Sequence, residues 1–322
     1  MIVRPFHFAK LLILVWSLLL GPPSIVWSNP IVNLKSPQSI AVDPGNGYFI
    51  ANANGDPGNR DNHGFITKLN QDGEIVALHF IKDGQGTTVL HSPTGMVLVD
   101  QRLYVADLDT IRVFDKTTGE PVLAISLARH HCSSLAGLTA APDGRLYVAD
   151  TDTNAIYQID PAQDHKVSLV VQDAGLSGPR GLAVNPRTGH LVGVSWNGGK
   201  IFEIDERGNI KELMANSFFS RRFTNLDGID FDRFGSMYVS DFTAGKIWRI
   251  RPDLKKEVIA EFLISPAGLT VDRQKHLILV PYLYADGAEI NGLEMPVNAG
   301  KKKRSRTLSD YGLDWLDKDK KD

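Results

Sequence analysis

Six stretches of the chain repeat one short pattern: a small residue, an apolar residue, alternation, then Asp or Asn. They read PQSIAVD (37–43), PTGMVLVD (93–100), LAGLTAAPDG (135–144), PRGLAVN (179–185), LDGIDFD (226–232) and PAGLTVD (266–272). The small residues that anchor them, Ser39, Gly95, Gly137, Gly181, Gly228 and Gly268, are spaced by 56, 42, 44, 47 and 40 residues. Periods of this size mark repeat architectures whose units bury a core only by stacking on their neighbours. Each anchor is followed by a turn and a second apolar run: YFIAN, LYVAD, LYVAD, LVGVS, MYVSD and LILVP. Five units continue into a third run (FITKL, IRVFD, IYQID, IFEID, IWRI) and a fourth, such as VLAISL, SLVV or VIAEFL. The runs are too short for helices, rich in β-branched and aromatic residues, and bounded by Gly, Asp, Asn and Pro, which marks strands. Four strands in each of six units predict an all-β chain folded as a six-bladed β-propeller, with four-stranded antiparallel blades around a central channel. A pair of β-sandwiches fits less well, because one period runs through 36–293. The sixth unit shows no fourth strand of its own. We expect IVNLK (31–35) to supply it and close the ring.

The flanks divide the chain further. Arg4 and Lys10 precede the apolar run LLILVWSLLLG (11–21), and VWS (26–28) offers short residues at a cleavage position, so residues 1–28 read as an export signal. The run is broken by Gly21, Pro22 and Pro23 and falls short of the ~20 residues a membrane span requires. An uncleaved anchor is the alternative. The expected organisation is a signal peptide at 1–28, a propeller at 29–300 and a charged, disordered tail at 301–322. In the tail, Leu313, Trp315 and Leu316 offer a docking helix as the alternative. The mature chain is expected to be exported to a periplasmic or extracellular space, without a membrane span, as a monomer. Of 35 basic and 37 acidic residues, Arg4, Lys10 and the basic run KKKRSR (301–306) lie outside the propeller, which is therefore net acidic. That balance argues against nucleic acid as a partner, because phosphate recognition needs a concentrated basic face. Cys132 is the single cysteine, so no internal disulfide supports the fold and its core must.

PRGLAVNP and GRLYVADTDTNAIYQID resemble NHL repeats, and LDGIDFD resembles the superfamily of gluconolactonases, regucalcin and diisopropyl-fluorophosphatase. The resemblance covers 36–293. It implies that the first strand of each blade lines the channel and starts at the top face. Links between strands 1 and 2 and between 3 and 4 then lie at the bottom, where DPGNG, APDG and DRFG are tight turns. The longer stretches NANGDPGNRDNHG (52–64), KDGQGTTVLHS (82–92), ARHHCSS (128–134) and ANSFFSRRFTN (215–225) fall at the top. Long loops gathered at one end of a rigid scaffold are where binding is usually placed.

In the calcium-dependent relatives, the residue before the anchor supplies metal ligands: Glu in blade 1, Asn in blades 3 and 4, Asp in blade 5. Here those positions hold Gln38, Ala136, Arg180 and Asp227, with Thr94 and Ala267 completing the ring. A hard cation needs several oxygen ligands. Gln38 brings a neutral amide, Ala136 no ligand atom and Arg180 a permanent positive charge. Only Asp227 matches, and a guanidinium beside it would pair with it instead. Gln38, Arg180 and Asp227 remain the channel-mouth candidates for chemistry, but no catalytic set is assigned. No cofactor is expected; Ca2+, with Asp227 as its ligand, is the alternative. Asp107, Asp150 and Asp241 recur at equivalent blade positions and are read as structural hydrogen-bonding groups. The HHC run (130–132) and the Asn/Asp/Gly-rich 52–64 loop lack the spacing of known metal motifs. No G-x-S-x-G nucleophile signature occurs.

Some top-face residues break the repeat. Trp196 stands where three other blades carry Asp, SFFSRRF supplies Phe218, Phe219, Arg221, Arg222 and Phe223, and Tyr282 and Tyr284 follow Pro281. Aromatics and Arg are enriched at binding hot spots. We therefore expect ligand binding through Trp196, Phe218, Phe219, Arg221, Arg222 and Tyr282, the partner being a small molecule or a protein at the top face. The rival expectation is a lactonase or esterase with a remodelled channel-mouth metal site. Zinc lyase chemistry, as in amidating-lyase propellers, lacks a repeating histidine set.

Overall fold

The computed structural model describes residues 30–217 and 222–293. The expected signal segment and the charged tail lie outside the described residues. Blade 1 comprises β1 (Pro37–Asp43), β2 (Gly47–Asn52), β3 (Phe65–Leu69) and β4 (Ile75–Lys82). Blade 2 holds β5 (Pro93–Val99), β6 (Arg102–Asp107), β7 (Thr110–Asp115) and β8 (Pro121–Ser126). Blade 3 holds β9 (Leu135–Ala140), β10 (Leu146–Asp150), β11 (Ala155–Asp160) and β12 (Lys166–Gln172). Blade 4 holds β13 (Pro179–Val184), β14 (Leu191–Ser195), β15 (Ile201–Ile204) and β16 (Ile210–Met214). Blade 5 holds β17 (Leu226–Phe231), β18 (Met237–Asp241), β19 (Lys246–Ile250) and β20 (Lys256–Ala260). Blade 6 holds β21 (Thr270–Asp272), β22 (Leu277–Tyr282) and β23 (Gly287–Gly292). Within every blade the strands pair antiparallel in sequence order, so the fold is the expected six-bladed propeller.

The sixth blade takes its fourth position from the other end of the propeller sequence. Ile31 and Ala288 exchange two backbone hydrogen bonds, N to O at 2.8 and 2.9 Å, and Leu34 N donates to Asp286 O at 3.1 Å. Asp286 fastens the same segment through Ser36 N at 2.8 Å and Lys35 Nζ at 3.0 Å. Ile31 and Leu34 are buried with Ile40, Tyr48, Leu279 and Ala288 between blades 6 and 1. The third strand of this blade, GAEING, carries little β-branched or aromatic character and stands out only once its pairing with β22 is seen.

The core is a set of six buried clusters, one at each interface between neighbouring blades. Strand alternation sends side chains to both faces of a blade, and each face is covered by the next blade. Hydrophobic stabilisation is thus shared between blades rather than held within them.

Near the channel the blades meet through backbone. A methyl group added at Gly95, Gly137, Gly181 or Gly268 would press on the carbonyl oxygen of Ala136, Arg180, Asp227 or Gln38 on the next blade, and one at Gly228 on Leu269 N. At Gly181 the approach to Asp227 O would be 2.5 Å, and at Gly268 to Gln38 O 2.8 Å. Glycine is needed at these anchors for close approach, not for an unusual φ. Ser39 is the exception: its hydroxyl donates to Thr94 O and fills the equivalent gap. Strand pairing shifts register at the top of β5, β9, β13 and β17, across the anchor and the residue before it, and in β1 at Gln38 alone. Bulges of this kind re-aim side chains, and here they place one residue per blade at the channel mouth.

Two substitutions test this reading. Gly181→Ala should destabilise the fold, because the obstructing atoms are backbone and cannot turn aside. Leu34→Ala should cost about 2–5 kcal/mol in denaturant unfolding, the range for emptying a buried Leu site; an unchanged midpoint would show that the segment at 31–35 does not close the ring.

Candidate functional site

The innermost strands enclose a central cavity of about 470 Å³. Its upper rim carries Gln38, Thr94, Ala136, Arg180 and Asp227, and beneath them lies a ring of Ile40, Met96, Leu138, Leu182, Ile229 and Leu269. Polar groups thus stand above an apolar belt, and further down the strands Asp230, Asp272 and Arg273 also line the cavity.

Arg180 and Asp227 sit on adjacent blades, and Arg180 Nε donates to Asp227 Oδ2 at 2.7 Å. Burial pushes the Asp227 carboxyl above its ordinary range, against the pull of the Arg180 charge. Arg180 is about 20% exposed and lays its guanidinium over the Trp196 ring, with Cζ 4.7 Å from the centroid. Asp227 on one edge and Trp196 on one face therefore fix the orientation of the group. Its Nη nitrogens make no hydrogen bond among the described residues. Gln38, on the opposite side of the ring, is buried with its Nε2 unpartnered.

The aromatic surface continues outward from Trp196. Phe242 packs on Trp196 at 5.2 Å between centroids, and Tyr284 meets Phe242 edge-on at 5.7 Å. Asn225 holds this stack in place. Its Nδ2 donates to Trp196 O at 2.9 Å, its O accepts from Phe242 N at 2.9 Å, and its Oδ1 accepts from Thr243 Oγ1 at 2.8 Å. Next to it, Ser265 accepts from Tyr284 N at 2.8 Å, and Leu263 N donates to Gly245 O at 3.0 Å. The 261–265 link that these bonds anchor exposes Phe262 (91%) and Ile264 (63%), and Tyr284 is 72% exposed. Blades 4 to 6 therefore present an apolar, aromatic quadrant beside the channel mouth.

Three expectations need correction. The residue in register with Asp107, Asp150 and Asp241 is Ser195, not Trp196: Ser195 pairs with Pro179 as Asp107 pairs with Pro93. Trp196 lies one residue further on, where the strand has ended and the side chain is released onto the top face. Tyr282 is buried in the blade 5–6 core, and its hydroxyl bonds Glu289 at 2.9 Å; Tyr284, two residues later, is the exposed ring. Phe262 was missed because VIAEFL reads as a strand, whereas β20 stops at Ala260 and Phe262 takes a φ of 64°; Ile264 lies just past that run. Phe218, Phe219 and Arg221 lie outside the described residues. Arg222 is exposed, and its backbone N donates to Asn216 Oδ1 at 2.8 Å.

The repeated Asp residues organise the top loops. Asp107 accepts from His91 N and Ser92 N, Asp150 from Ser133 N and Thr153 N, and Asp241 from Thr224 N and Ala244 N. In the HHC run, His130 packs on Tyr157 at 5.2 Å, His131 is exposed and Cys132 is buried, its thiol pushed up to about 12 mainly by burial. Among the described residues no group of three or more His, Cys, Asp or Glu could hold a metal ion. At the channel mouth the carboxylate of Asp227 is bonded to the Arg180 guanidinium.

No protein-family model matches the chain, and no curated protein matches it by sequence. Solved structures match at the level of fold. A streptogramin B lyase is 15% identical, with a TM-score of 0.59, over 82% of this chain and 96% of that one. A catalytically inactive virginiamycin B lyase from Staphylococcus aureus, in a structure with quinupristin, is 17% identical, with a TM-score of 0.60, over 83% and 99%. A protein named as a candidate gluconolactonase is 15% identical, with a TM-score of 0.59, over 82% and 92%. At these identities the likeness is one of architecture.

Two measurements probe the site. Arg180→Met should cost about 3 kcal/mol by stranding a buried carboxylate, while adding Asp227→Leu should restore most of the loss. The single variant's deficit should narrow at acidic pH, because a carboxyl whose pKa is raised in the fold favours folding once protonated and loses that contribution as pH rises. Separately, Cys132 should resist iodoacetamide at pH 8 in the native protein and react after denaturation.

Proposed function

We propose that the protein is a non-catalytic binding module that takes up a small molecule at the top mouth of its propeller channel. The observation that carries this reading is Arg180, held between Asp227 and Trp196 above a cavity with an apolar upper belt. A guanidinium fixed on one edge and one face is a preorganised donor, so little ordering entropy remains to be lost when a ligand binds. The same contact argues against a metal hydrolase, because it consumes the one carboxylate at the mouth. The aromatic quadrant beside it offers flat apolar contact area, the kind that dominates binding energy.

The second reading is an enzyme acting on lactone, ester or related bonds, favoured by the fold likeness to streptogramin B lyase and to the candidate gluconolactonase. The two separate in one set of assays. The binding module should melt at the same temperature with calcium or with EDTA and leave gluconolactone and phenyl acetate intact. It should bind fragments, detected by saturation-transfer NMR, whose signals vanish in Trp196→Ala. Calcium-dependent turnover abolished by Asp227→Ala would falsify the binding reading in favour of the hydrolase.

A further inference from the structure

We infer that the channel mouth is a carboxylate site: its ligand is an amphipathic monocarboxylic acid whose acid group sits on the outer edge of Arg180 and whose apolar body descends into the channel. This rests on the small-molecule reading above and narrows it to a chemical class.

A guanidinium has two edges that can each hold a planar oxyanion: the side edge, which includes Nε, and the end edge formed by the two Nη groups. In this protein the side edge is taken by Asp227, at 2.7 Å from Nε, and one face is covered by Trp196. What remains is the end edge, whose donors have no partner among the described residues, on a side chain that lines the cavity. Asp227 and Trp196 hold that edge in a single orientation, as bidentate recognition requires.

The belt directly beneath the rim fits the other half of such a molecule, while Asp230, Asp272 and Arg273 line the cavity further down. Directly below the rim the cavity is lined by Ile40, Met96, Leu138, Leu182, Ile229 and Leu269, which offer no charge. Gln38, across the mouth from Arg180, is nine-tenths buried, and its amide nitrogen lacks a partner. That nitrogen is closed off from the cavity, so Gln38 is part of the wall and not a ligand contact. The site therefore favours a carboxylate at one end of a frame that is apolar where it meets this belt. A cationic ligand is disfavoured, since the Asp227 carboxylate is buried and already engaged.

The test compares matched pairs, each a carboxylic acid and its primary amide: benzoate, phenylacetate, cyclohexanecarboxylate, 4-hydroxyphenylacetate and octanoate. Affinities are measured by isothermal titration calorimetry on the full chain. The inference expects at least one acid to bind ten-fold or more tightly than its amide, with that preference lost in Arg180→Lys, which keeps the charge but not the two-pronged edge. Arg180→Lys must retain the wild-type melting temperature within a few degrees; if it does not, the comparison moves to wild-type protein at rising salt and to Trp196→Phe, which keeps the fold but loosens the guanidinium. If every acid binds no better than its amide, the carboxylate inference is wrong. Binding of the amides that is still lost in Trp196→Ala would leave the small-molecule reading standing. No binding of either series, together with fragments that ignore Trp196→Ala, would remove both.

Discussion

Near the channel the blades meet through backbone, where the anchor glycine of one blade leaves no room for a side chain against the backbone of the next. Gly137 meets Arg180 in this way and Gly181 meets Asp227, so the glycines set how far apart those two side chains start. The bulge that carries each pair turns the preceding residue towards the channel. Ring geometry, interblade packing and the position of the functional side chains therefore share one cause. A side chain at any of the glycine anchors would press on the neighbouring blade and strain the span between the mouth residues.

Given that spacing, the chemistry of the mouth follows from which residue each blade offers. A ring built to coordinate a dication needs oxygen atoms converging from several blades. This ring supplies one carboxylate, one amide, a threonine, two alanines and an arginine, and the arginine closes on the carboxylate. The end edge of the Arg180 guanidinium keeps donors without a partner among the described residues, above an apolar belt that gives way to Asp230, Asp272 and Arg273 further down the channel. The aromatic quadrant over blades 4 to 6 extends the mouth to one side only, so a ligand would meet an asymmetric rim.

Much of the architecture was legible because the anchor glycines and the strand-to-turn punctuation recur with a period set by the blade. The pairing of Arg180 with Asp227 could also be read, since both precede an anchor on adjacent blades. Other features escaped for local reasons. GAEING has too little strand character to declare itself, and it is held as a strand by β22 and Ile31 instead. Trp196 was placed one residue too early because LVGVS lacks the closing Asp that marks its counterparts. Tyr282 and Tyr284 are separated by a short turn that sends one into the core and the other into solvent, and alternation alone cannot forecast that. Phe262 looked like a strand residue, since nothing in VIAEFL announces the left-handed backbone at that position.

The union of Ile31 with Ala288 also governs the order in which the molecule can be assembled. The segment that completes the last blade is synthesised first, yet its partner emerges some 250 residues later, so a growing chain can build single blades and pairs of blades but not the finished circle. Until then, blade 6 keeps a bare edge and Leu34 has no pocket. Contacts spanning so much sequence form slowly, because their loop must be closed before they repay it. Commitment to the native state is therefore a late, single event, in which the first and last parts of the propeller meet.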